Sequence, residues 1–238
     1  MEFGSDYVVI EESVNEELNY EIGEGESEET IKSKQISAIK YICLLKEPSK
    51  ILNSIRTIKA LEYLNYHSNH VSAFDQLDDE LQRSFVEIVV EFIKRHNDSL
   101  DDHIKKFDSL KSRKFKISIN NQQQQSLYYL ELRMNYLECF IRLVYNLSSR
   151  SDLFCLKFHE MKGLKMLVRY LESKLFVEKL IEFSHDTKSQ AFKSLNELME
   201  SILGTLSNLT CLADKFKNDW IESNIFSSLI HLARSMGA

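Results

Sequence analysis

The chain carries seven histidines and four cysteines, the side chains best suited to metal binding or nucleophilic work. His67 and His70 form an HxxH pair with Asp75 nearby. A zinc site needs three or four ligands at suitable spacing, and this segment supplies too few, so the pair reads as a polar helix end. Cys155 and His159 stand four apart, which puts thiol and imidazole on one helical face. Nucleophilic catalysis would also want an orienting group and an oxyanion hole. The sequence displays neither, so this pair reads as packing. His96 and His103 flank acids in a predicted loop. The glycine patterns that cradle phosphates, the zinc-protease HExxH and the hydrolase GxSxG do not occur. Asp78, Asp79, Asp101 and Asp102 lie where helix starts favour carboxylates. The expectation is a protein that is not an enzyme, with no cofactor and no metal site.

A second constellation is basic. Lys105, Lys106, Lys111, Arg113, Lys114 and Lys116 stand against Asp108, with Phe107 and Phe115 interleaved. Basic loops with aromatics can contact phosphates and stack bases. The sequence pI is only about 5.7, and nucleic-acid binders show a broader basic face. Nucleic acid therefore remains an alternative partner behind protein. Residues 1–30 hold eleven acids and no Lys or Arg, so a tail of −11 is joined to a body of +5. Such charge density predicts a disordered tail over 1–30. Tyr7 to Ile10 are a candidate hydrophobic anchor within it. The tail could fold back on the basic loop, and Ser27, in an acidic context, could be phosphorylated to tune that contact. The opening MEFGS reads as a cloning remnant.

The elements that would position these residues are helical. There are six Gly and one Pro in 238 residues, and no Gly between Ser27 and Lys162. Average usage would give roughly 17 Gly and 12 Pro. Sheets need tight turns that recruit those residues, so an all-α fold is predicted. No CxxC occurs, and the cysteines read as reduced core thiols. With no signal peptide and no membrane-length apolar run, an intracellular location, cytoplasmic or nuclear, is expected.

Apolar periodicity predicts a helical part over 31–110, a mobile basic and Gln-rich loop over 111–125, and a second helical part over 126–238. Ile51, Ile55, Ile58, Leu61 and Leu64 mark one helix, and Leu81, Phe85, Ile88, Val89 and Phe92 another. Asp98 and Ser99 are expected to cap a further short helix. A long helix is predicted from Ser126 to Ser148, a short one over 152–158, and one opened by Gly163. A long one follows over 191–211 and a last one over 221–235, with Phe176 to Phe183 less regular.

Leu143–Ser173 aligns with Gly204–Ser235. Each has a helix ending in Asn-Leu-Ser/Thr, a short amphipathic stretch, then a helix with a Leu-Val or Leu-Ile pair. Gly163 and Asn224 are paired as the small openers. Asn146 and Asn208 stand 62 residues apart, longer than one solenoid unit, which implies about twenty inserted residues near Phe176 to Ser189. This block, roughly Leu130 to Ser235, resembles the armadillo repeat, though the proline that usually follows the glycine is missing. The resemblance implies a right-handed solenoid of armadillo or HEAT-like repeats. Its groove would bind a peptide segment or helix of another protein through Asn146 and Asn208, with Arg142 and Tyr145 beside them. A carboxamide can pair with a peptide's C=O and N–H together; alternatively both asparagines close helix ends. A +5 body would suit an acidic and apolar peptide. Armadillo-like regions also include small-GTPase-binding domains, an alternative role. The last helix lacks a polar capping repeat, and with the vector-like start this predicts a fragment of a larger protein.

Overall fold

A computed structural model describes residues 25–44, 55–67, 73–114, 137–173 and 190–236. Among them every regular element is helical and none is a strand. No described helix is long and apolar enough to cross a membrane.

Helix α1 spans Glu28–Leu44. The Ser27 hydroxyl accepts from the Thr30 amide at 3.2 Å, and Glu28 and Glu29 fill the first turn, a start that satisfies orphan N–H groups and the helix dipole. The predicted tail thus gives up its last residues to structure. Glu26 pairs with Lys34 and accepts from the Tyr63 hydroxyl at 2.9 Å. These donors, Lys34 first, lower its pKa. Helix α2, Ile55–Tyr66, packs on α1 through Ala60, Leu61, Tyr63 and Leu64.

A 3-10 turn at Ala73–Gln76 leads into α3, Asp79–Lys114. Asp78 caps it by accepting from the Leu81 amide at 2.8 Å. The predicted second start at Asp98 and Ser99 does not exist, because α3 continues through both. No Gly or Pro interrupts this stretch, and polar residues cost an exposed helix only tenths of a kcal/mol each, about 0.7 at most. Asp98 instead reaches Arg169 at 3.2 Å, and the Asn97 amide donates to the Met166 carbonyl at 2.6 Å. The first four residues of the predicted loop, 111–114, are likewise helical.

The second half runs as α4 (137–148), α5 (Asp152–Glu160), α6 (Gly163–Glu172), α7 (Gln190–Leu209), α8 (Lys217–Glu222) and α9 (Ile225–Met236). The predicted last helix is two helices, broken at Ser223 and Asn224. Asn224 has φ 57°, a left-handed conformation that Asn tolerates. Ser126 to Tyr136, the Gln-rich run, Phe176 to Ser189 and the tail before Gly25 lie outside the described residues.

The halves share one core. Helix α3 packs against α1, α5 and α6. Phe92 stacks on Phe140 at 4.1 Å, and Phe74 meets Phe154 edge-on at 5.3 Å. Such pairs add about 0.5–1.5 kcal/mol each beyond burial. Lys157, almost wholly buried, pairs with Asp79, whose carboxyl it holds below the usual range.

Candidate functional site

Helix ends leave carbonyls without intrahelical partners. In α4 the Ser148 hydroxyl donates to the Tyr145 carbonyl at 2.9 Å. Just past α7, where a 3-10 turn begins, the Thr210 hydroxyl donates to the Ser207 carbonyl at 2.6 Å. Ser148 and Thr210 stand 62 residues apart, as do Tyr145 and Ser207. The repeated Asn-Leu-Ser/Thr therefore carries a repeated bond, in which the hydroxyl returns to the carbonyl three residues back; in α4 that carbonyl also accepts from the Ser149 amide at 3.1 Å.

The asparagines do bridge neighbours. Asn146 donates to the Asn65 carboxamide oxygen at 3.0 Å, and Asn65 donates to the Cys139 carbonyl at 3.0 Å. Asn208 donates to the Ser148 hydroxyl at 3.0 Å and the Tyr145 carbonyl at 3.4 Å. Three asparagines in the last turns of α2, α4 and α7 thus form one line across three helices. All three are half-buried. The oxygens of Asn146 and Asn208 accept from no described residue.

Tyr145 is exposed and its ring lies over Gly204 of α7. Arg142, one turn before Asn146, pairs with Glu138 at 3.2 Å. Burial raises the Glu138 pKa, and Arg142 opposes that rise. Sequence reading missed Asn65. Its signal was an Asn after Leu64 in the last turn of an amphipathic helix, but Tyr66 and His67 replace the Leu-Ser that marks the other two.

The second alignment also shifts. The left-handed residue before α6 is Lys162, φ 65°, and the one before α9 is Asn224. They stand 62 apart, the same step as the asparagines. Asn224 therefore corresponds to Lys162, and Gly163 to Ile225, without the one-residue offset read from the sequence. Gly163 is small because Phe158 packs on it, not because its backbone is left-handed.

Cys155 and His159 both lie in packed, buried surroundings. Cys155 donates to the Ser148 carbonyl at 3.2 Å, and burial pushes its thiol up to about 12, far from a thiolate. His159 is fully buried and stacks on Phe216 at 4.1 Å, with Asp219 at 3.7 Å from Nδ1. His67 packs against the Tyr63 ring at 4.5 Å, while His70 lies outside the described residues. Among the described residues no three His, Cys, Asp or Glu could hold a metal ion. A cleft bounded by Gln35, Ile39, Phe74, Leu143 and Asn146 offers about 20 Å³, room for a water and not for a metabolite. Lys105, Lys106, Lys111, Arg113 and Lys114 lie in the C-terminal third of α3, and Lys116 lies beyond the described residues. Compared with known protein families, curated proteins and solved structures, the chain has no match.

Proposed function

We propose that this chain is a non-enzymatic docking platform, an armadillo-like right-handed solenoid that binds an extended segment or helix of another protein. The observation that carries the reading is the line of Asn65, Asn146 and Asn208 at the ends of three helices. Two of its carboxamide oxygens accept from no described residue, and a peptide N–H could occupy them. The order of elements supports the solenoid part. A short helix, a left-handed residue and a longer helix occur twice, at a 62-residue step. Stacking of such units buries faces that no unit could bury alone.

A displayed library of extended peptides tests this reading. Binders selected on the wild type should lose about tenfold or more in affinity with Asn146→Ala plus Asn208→Ala. Two lost hydrogen bonds at about 0.5–1.5 kcal/mol each give that factor. Selection of no sequence, or binders indifferent to both substitutions, would sink the groove.

A further inference from the structure

The four cysteines do not share one environment. Cys139 and Cys155 are buried, Cys43 is half-buried and Cys211 is exposed, so the expected set of core thiols fails at Cys211. Cys43 and Cys139 turn toward other groups, the Leu81 carbonyl and the Glu138 carboxylate. Cys155 and Cys211 turn toward each other. The Cys211 thiol stands within hydrogen-bond reach of the Cys155 sulfur.

Both are drawn to Ser148. Its carbonyl accepts from the Cys155 thiol at 3.2 Å, which aims that sulfur at the end of α4. Its hydroxyl accepts from the Asn208 amide at 3.0 Å, which brings the end of α7 to the same point. Cys211 follows Asn208 by one turn of chain, in the 3-10 turn Thr210–Leu212, none of whose residues is buried. That turn is able to move to suit disulfide geometry, which is narrow, while Cys155 stays fixed on α5.

The two thiols suit different steps. Oxidation by a peroxide begins at an accessible thiol, and Cys211 is the exposed one. Cys155 is closed to solvent, and burial keeps it protonated. It does not begin the reaction, but its contact with Cys211 supplies the proximity that a second step needs.

We infer that Cys155 and Cys211 are a disulfide-forming site for hydrogen peroxide, with Cys211 as the attacking thiol and Cys155 as the resolving one. The Cys211 thiolate attacks one peroxide oxygen, the O–O bond breaks, and the departing hydroxide takes a proton from solvent to become water. Cys211 is left as a sulfenic acid. The Cys155 sulfur then attacks the Cys211 sulfur. The S–O bond breaks, and hydroxide leaves with the Cys155 proton as a second water. Two thiols give up two electrons between them, and one peroxide is reduced to two waters. The bond joins α5 to the end of α7 without any partner, so it stands independently of the docking reading.

The test treats the reduced full chain with hydrogen peroxide, alkylates the remaining thiols and maps the peptides by mass spectrometry without reductant. The chain should lose two of its four free thiols. It should yield a peptide linked through Cys155 and Cys211, and dithiothreitol should restore both thiols. Cys211→Ser, an exposed change, should leave Cys155 fully alkylated on denaturation after the same treatment. Cys155→Ser keeps a donor for the Ser148 carbonyl and should stall the reaction at a Cys211 sulfenic acid, trapped by dimedone. Survival of all four thiols under peroxide that converts free cysteine to cystine would overturn the proposal. So would links formed only between copies of the chain, or a Cys155–Cys211 link that forms only in denaturant. Loss of the Cys155 thiol at the wild-type rate in Cys211→Ser would overturn it as well.

Discussion

The ring of Phe158 lies across Gly163 so closely that a Cβ there would stand 2.6 Å from Cδ1. Phe158 is fully buried and cannot withdraw. Gly163→Ala would gain at most about 1 kcal/mol of helix propensity. It would incur an overpacking cost of about 1–3 kcal/mol. The variant should be less stable by about 1–2 kcal/mol in urea denaturation. Gly204 has the same geometry with Tyr145, 2.7 Å from Cδ2. That ring is exposed at 38% and can swing outward. Gly204→Ala should therefore stay within about 1 kcal/mol of wild type. Equal losses at both sites would contradict the argument.

His159 should make stability pH-dependent. Burial lowers its pKa from the usual 6.5, outweighing Asp219, so the folded state holds it neutral. The unfolded chain then binds a proton more readily, and stability falls as pH drops below about 6.5. His159→Phe keeps the stack on Phe216 and removes the titration. Its advantage over wild type should grow from pH 8 to pH 5.5 in paired thermal melts. A constant difference would show that His159 does not titrate on unfolding.

Ser151 joins two helices at once. Its hydroxyl caps α5 by accepting from the Phe154 amide at 2.9 Å and donates to Asp75. Ser151→Ala should cost about 1–2 kcal/mol, and Ser151→Thr should recover most of it. Chemical denaturation of the two variants decides this.

The Asn65–Asn146 bond can be weighed by a double-mutant cycle to alanine. A coupling of about 0.5–1.5 kcal/mol is expected. Strict additivity would mean that the line of asparagines is a coincidence of helix ends.

Much of this was legible in sequence because local chemistry decided it. The shortage of Gly and Pro excluded tight turns, and the all-helical class followed. The ends of α4 and α6 were read correctly at Ser148 and Gly163, where motif and period coincide. Failures came where tertiary contacts overrode local signals. Asp98 and Ser99 look like a cap, yet Asp98 serves Arg169 and the helix passes through. Asn224 looks like a glycine substitute, yet its conformation pairs it with Lys162. Asn65 was invisible because only its position in space, beside Asn146, distinguishes it from any polar residue in a last turn.

Helix α3 has a mechanical implication. It packs on α1 and on α5 and α6, so the described residues of the two halves are tied together through it. The aromatic contacts of Phe74 and Phe92, with the Lys157–Asp79 pair, already weld them. The two halves should therefore lose structure together, in one cooperative transition, and weakening this weld at Phe74 or Phe92 should lower the melting of both at once.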